Sequence, residues 1–170
     1  MRRVEGFSLL ELILVIVILG ILGAFVGPVL FNAMRSYDSV QASVTTHAKM
    51  RYAVERIARE MRDIRRQTTD STFLDITSMT ASSMAFFKTD GTRVVLNGVG
   101  TVVNLAYSTL TGMLTDQVQS GSFSLAYFQQ NASTVAATQA SISFVQMSMT
   151  LVEGTNVFPV RLRVDLRNPQ

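Results

Sequence analysis

The sequence has no cysteine and a single histidine, His47, in 170 residues. The first absence excludes disulfides and thiolate metal sites, and it leaves the redox compartment unreadable. The second excludes any centre that needs two imidazoles. Charge is scarce as well: Asp, Glu, Lys and Arg make up 16% of the chain, against roughly 25% in ordinary soluble domains. No nucleophile, base and orienting group stand together in the sequence. The glycine-rich stretch Asn97–Asn104 lacks both the lysine and the strand-to-helix context of a phosphate cradle. The chain therefore reads as a non-enzyme, with no catalytic residue, cofactor or metal ligand to assign.

The length suits one domain of ordinary size plus an N-terminal segment of another kind. From Phe7 to Phe31 only Ser8 and Glu11 are polar, and Leu12–Val26 has no charged or hydrogen-bonding side chain. As a helix, about 25 such residues cover roughly 37 Å, enough to cross a hydrocarbon core of about 30 Å. Arg2 and Arg3 precede the run and no basic residue follows it until Arg35. That asymmetry predicts a cytoplasmic N-terminus, with everything after the span facing outward. Gly23 and Gly27 have the four-residue spacing that lets helices approach closely in lipid. Glu11 is the anomaly. A carboxylate inside an apolar span is costly, and such a residue is a functional-site hypothesis by default.

No proline interrupts Val29–Arg66, so one helix is predicted from Phe7 to Arg66, with a bend at Pro28. Met50, Val54, Ile57, Met61 and Ile64 form an apolar stripe that extends back through His47, Val44 and Val40. Glu55–Arg59 and Arg56–Glu60 are opposite-charge pairs on the other faces. After Asp70 the apolar period changes to two. Ser83–Gly98 reads as a hairpin turning at Asp90-Gly91. Thr101–Leu110 and Phe123–Phe128 are further strands. Ile142–Val152 alternates through Met147, Met149 and Leu151, with a register break expected near Val145. In the last strand Val160, Leu162, Val164 and Leu166 point one way and Arg161, Arg163, Asp165 and Arg167 the other. Thr111–Ser122 and Gln129–Ser141 read as surface loops. A long helix followed only by strands predicts an α+β domain, an antiparallel β-sheet laid over the helix stripe.

A short basic leader ending in Gly6, then Phe7, then Glu11 as the fifth residue after Gly6, then an apolar helix containing Pro28, closely resembles the type IV pilin-like signature. That family comprises type IV pilins, minor pilins and the pseudopilins of type II secretion. The resemblance implies a leader peptide (1–6), a transmembrane and fibre-core helix (7–31), and a periplasmic pilin-like domain (32–170). It implies cleavage between Gly6 and Phe7 by a prepilin peptidase, followed by N-methylation of Phe7. The subunit would sit in the bacterial inner membrane, spanning it once, and then enter a pilus or pseudopilus. There Leu9–Val26 of neighbouring subunits would pack together, and Glu11 would pair with the cationic N-terminus of an adjacent subunit. Gly20, Gly23, Gly27 and Pro28 match the stretch that loses helical structure in assembled fibres of the family. The implied partners are other pilins or pseudopilins, the peptidase and an inner-membrane assembly platform.

The ending "VRLRVDLRNP", the helix end "RIAREMRDIRRQ" and "FSLAYF" before two late strands resemble the larger minor subunits. The nearest of these are the minor pilin of the mannose-sensitive haemagglutinin pilus and the J-type minor pseudopilin. Other readings stand beside this one. A cleaved secretory signal has a shorter apolar region and no internal acid. A membrane-anchored periplasmic binding module that never assembles would use the same span, tolerate changes at Glu11 and show no methylated N-terminus.

Basic residues concentrate between Lys49 and Arg66, where Lys49, Arg51, Arg56, Arg59, Arg62, Arg65 and Arg66 face Glu55, Glu60 and Asp63. Without interleaved aromatics this mixed-charge face argues against nucleic acid as the partner. His47 and the methionines at 50, 61, 147 and 149 read as packing residues.

Overall fold

The computed structural model describes residues 8–70, 73–108, 110–131 and 133–166. Helix α1 (Leu9–Arg62) is followed by β1 (Ile76–Met79), β2 (Ser83–Phe87), β3 (Arg93–Val99), β4 (Val102–Tyr107), β5 (Thr111–Thr115), β6 (Ser124–Phe128), β7 (Phe144–Glu153) and β8 (Asn156–Asp165). All pairings are antiparallel, in a five-stranded sheet ordered β1-β2-β3-β4-β5 and a three-stranded sheet ordered β6-β7-β8. This is an α+β, pilin-like layout. The chain divides into two units, Met1–Ala42 and Ser43–Gln170.

In the first unit the described residues form helix alone, and helical structure continues through Pro28. In the second unit the C-terminal half of α1 contributes Ala53, Ile57, Ala58 and Met61 to the core. These meet Met84, Phe86, Val94 and Leu96 of the larger sheet and Val145, Met147, Met149 and Leu151 of the smaller one. Fully burying one such large apolar side chain is worth about 1.5–3 kcal/mol. Twelve large side chains are at least 98% buried, which is ample to order the unit.

Helix α1 stops at Arg62, four residues before the expected end. The amides of Arg65 and Gln67 donate to the carbonyls of Phe87 and Phe73 rather than to the preceding turn. Ile64 and Arg66 thereby form antiparallel bridges to Lys88 and Leu74. The guanidinium of Arg65 fixes this exit: Nε lies 2.8 Å from Asp75 Oδ2 and the group stacks on the Phe87 ring. The apolar stripe is shorter than its spacing predicted. Val40 and Val44 are exposed, whereas Thr46 in the neighbouring register is buried. His47 is exposed but sets its ring edge-on against Phe158, 4.6 Å between centroids.

The Asp90-Gly91 turn forms as expected, with Gly91 at φ 82° and the Thr92 amide donating to Asp90 Oδ1. That bond comes first among the causes holding the Asp90 carboxyl below its ordinary value. Two further sequence expectations fail and a third holds in part. Thr111–Thr115 is strand β5, hidden from pattern reading because Met113 is exposed while polar Thr115 is buried. The stretch Gln129–Ser141 carries a bridge from Val135 to Phe128 and a buried Ala136 as well as loop. No register break occurs at Val145, which is buried in phase with Met147, Met149 and Leu151 and pairs with Val164.

The two sheets are tied by backbone and side chain. After β5 the chain crosses to β7, where Gln119 N–H donates to the Thr150 carbonyl and Val152 N–H to the Gln117 carbonyl. Phe123 lies against Gly98 of β3 so closely that a methyl group there would overlap the ring. From β6 the Tyr127 hydroxyl reaches the Thr80 carbonyl at 2.8 Å and the Ser83 carbonyl at 3.2 Å.

Burial pushes the Tyr127 phenol up from 10.0 to about 12. A raised folded-state value means the native unit keeps this proton while the unfolded chain has lost it. The contribution is fully present below about pH 10 and is lost as pH rises toward about 12, by on the order of 2 kcal/mol. Urea titrations at about pH 9 and about pH 11 should show about half of that loss, and Tyr127→Phe should remove it.

Candidate functional site

Ser8 stands immediately before the first residue of α1 and caps it. The Glu11 amide donates to Ser8 Oγ at 3.2 Å and the Leu12 amide to the Ser8 carbonyl at 3.2 Å. Ser8 and Glu11 thus have the serine-x-x-glutamate spacing of a capping box. Sequence reading singled out Glu11 and missed Ser8, although that spacing was the signal that finds it. The Glu11 carboxylate stands in the first turn, where free amides and the helix dipole favour negative charge. Gly6 and Phe7 lie outside the described residues, as do Arg2 and Arg3.

Beyond Glu11 every large apolar side chain of the first unit is exposed; the least exposed between Leu9 and Phe31, Val15, still shows 46% of its surface. Helix α1 is the one described helix long and apolar enough to cross a membrane. A Cβ built on Gly20, Gly23 or Gly27 meets no atom within 4 Å. The chain's own packing therefore does not require glycine at these positions. Phe25, Val26, Val29, Leu30 and Ala33 line a wholly apolar, open surface groove of about 310 Å3.

The second concentration of charge lies in the other unit, around Glu60. Its side chain is 4% exposed, with Arg56 Nη2 at 2.9 Å from Oε1 and Lys88 Nζ at 3.4 Å from Oε2. The Tyr107 hydroxyl donates to Glu60 Oε1 at 2.9 Å and accepts from Arg56 Nη2 at 2.7 Å. Lys88 Nζ also lies 3.2 Å from Asp63 Oδ2 and 3.7 Å from Asp90 Oδ2. Arg56–Glu60 was expected to be a surface pair. It is instead half of a clamp around a buried carboxylate that fastens β4 and the segment just after β2 to α1. Glu55 pairs with Arg51 at 2.8 Å, toward the preceding turn rather than toward Arg59.

Burial pulls the Lys88 ammonium down, but the hydrogen bond to Asp63 and the charges of Glu60 and Asp90 outweigh it, so its value lies above that of an ordinary lysine. Burial likewise raises the Tyr107 phenol, and the bond to Glu60 adds to the effect. Both groups stabilise the fold below their unfolded values and lose that contribution as pH rises through the folded ones. Among the described residues no group of three His, Cys, Asp or Glu side chains is placed to hold a metal ion. The clamp offers structure rather than chemistry. Lys88→Met should leave Glu60 Oε2 without its cation and cost about 2 kcal/mol or more, read as a lower urea midpoint. Arg51→Met, at an exposed pair, should leave the midpoint unchanged.

The sequence-assigned residues are thus collinear on one helix rather than gathered in a cleft: Glu11 in the first turn, then Gly20, Gly23, Gly27 and Pro28 along the exposed apolar part. A search of curated proteins returned no match to the chain. Residues 1–27 match the family model described as the prokaryotic N-terminal methylation motif. Together with the exposed apolar helix, this match points to membrane anchoring and to association with other pilins and a prepilin peptidase in general. The chain carries at its N-terminus the methylation motif consistent with a type IV pilin-like signature, on an α+β, pilin-like layout.

Proposed function

We propose that this protein is a minor pilin or minor pseudopilin, a structural subunit of a type IV pilus-like fibre or of its initiating tip complex. One observation carries the reading: a methylation motif over residues 1–27 lies on a helical run, from Leu9 to Phe31, whose large apolar side chains are all exposed. Such a surface needs lipid before assembly and neighbouring helices after it. The prepilin peptidase cuts between Gly6 and Phe7 at the cytoplasmic face, and the new N-terminus is methylated on Phe7. The helix then holds the subunit in the inner membrane with its folded domain in the periplasm. An assembly platform transfers the subunit into the fibre.

Glu11 supplies register in this scheme. Its carboxylate is costly in lipid alone, and a cationic N-terminus of an adjacent subunit offers the compensating charge at one axial position. Gly20, Gly23 and Gly27, which no contact within the chain requires, leave room for close approach of a second helix. Together with Pro28 they make this stretch the weakest part of α1 by intrinsic preference. The same features fit a minor pseudopilin of type II secretion. A membrane-anchored module that never assembles would have no use for Glu11.

Mass spectrometry of the N-terminal peptide from the native host tests processing. A peptide beginning at N-methylated Phe7 is expected; one beginning at Met1 would mean a simple anchor, and one beginning beyond Gly23 a secreted domain. Gly6→Ala should leave the precursor mass unchanged by the peptidase. Glu11→Ala should leave membrane insertion intact while fibre yield falls several-fold, and a normal yield would sink the register argument.

A further inference from the structure

Two features of the second unit meet along one flank. Strand β8 ends its sheet, paired with β7 along its whole length and, among the described residues, with no strand on the other side. Leu166 N–H donates to the Ser143 carbonyl, so the antiparallel alternation turns the amides of Val160, Leu162 and Val164 toward β7 and that of Arg161 outward. Among the described residues the Arg161 amide and the Pro159 carbonyl have no backbone partner. Pro159, which has no N–H, occupies an outward position, as proline does on edge strands.

The second feature is a groove of about 470 Å3 beside this edge, lined by Val54, Glu55, Ala58, Arg59 and Arg62 of α1 and by Leu162 of β8. Its floor is apolar. Glu55 is held by Arg51, whereas Arg59 and Arg62 make no ion pair among the described residues, and neither does Arg161 on the opposite face of β8.

We propose that the β8 edge and the adjoining α1 groove dock an extended, carboxylate-bearing segment of a partner protein, which adds as a fourth strand to β6-β7-β8. The segment's side chains alternate between two faces. One face lays apolar groups over Val54, Ala58 and Leu162 and carboxylates against Arg59 and Arg62; the other meets Arg161. Backbone bonding supplies attachment and the arginines supply selection. A second copy of β8 is the wrong occupant. Antiparallel self-pairing brings Arg161 near its own like charge. This surface is independent of Gly6, Phe7 and Glu11, so failure of the processing scheme leaves it standing.

The test uses the full chain in a neutral detergent and a fluorescent peptide of about ten residues, a usual strand length, repeating Val-Glu-Glu-Thr so that one face bears valine and glutamate in turn, followed by anisotropy. Saturable binding is expected, weakened at least tenfold when Arg59→Glu and Arg62→Glu, both at exposed positions, are combined. The same peptide N-methylated on alternate amides keeps its charges but cannot pair with β8, and should also lose at least tenfold. No binding by about 1 mM peptide, or binding indifferent to the arginine changes, would overturn the proposal. Equal binding of the N-methylated peptide would overturn strand addition. Tighter binding of a single-stranded oligothymidylate, lost with the same arginine changes, would make the surface a nucleic-acid site instead.

Discussion

The exposed apolar surface between Leu9 and Phe31 is the constraint on which the rest of this protein depends. Each of those side chains gives up on the order of 1–3 kcal/mol by remaining in water. Summed over the run, the gain foregone is large beside the net stability of a domain of this size. The first unit is therefore defined by its surroundings. Lipid or other apolar helices must supply what the chain itself does not, and the capping of α1 by Ser8, with Glu11 in the first turn, places the one charge of the run at the end of the helix where a negative group is best tolerated.

The second unit solves a different problem with the same helix. Here one stripe of α1 is enough, and Ala53, Ile57 and Met61 are covered by two sheets. The polar side of this contact is organised around Glu60, a carboxylate that burial would make costly without Arg56, Tyr107 and Lys88. Those partners come from α1, from β4 and from the segment just after β2. Satisfying one buried charge thus fixes the position of several strands at once.

Periodicity made much of this legible. The apolar run, the amphipathic stripe from Met50 to Met61, the Asp90-Gly91 hairpin and the alternation in β7 and β8 all follow from local pattern. What pattern could not supply was set by tertiary pairing. Helix α1 ends where the amides of Arg65 and Gln67 find strand carbonyls, and nothing local marks that point. Strand β5 escapes notice because an edge strand tolerates an exposed Met113 and a buried Thr115. Glu60 looks like any surface acid in an i,i+4 pair until Tyr107 and Lys88, 47 and 28 residues away in sequence, arrive beside it. The methylation motif over residues 1–27 was legible for a different reason: it lies in linear order, so no folding is needed to read it.

The connection of β8 to the sheet also sets how the second unit bears load. Strands β7 and β8 are joined by a tight turn at Glu153–Asn156 and lie antiparallel. A pull applied at Leu166, away from the sheet, therefore opens the ladder one residue pair at a time, as a zipper opens. The same pull along the strand axis would have to break all ten pairs together. The unit is soft to one direction of tension and stiff to the other, and the last strand is the element through which that difference would be felt.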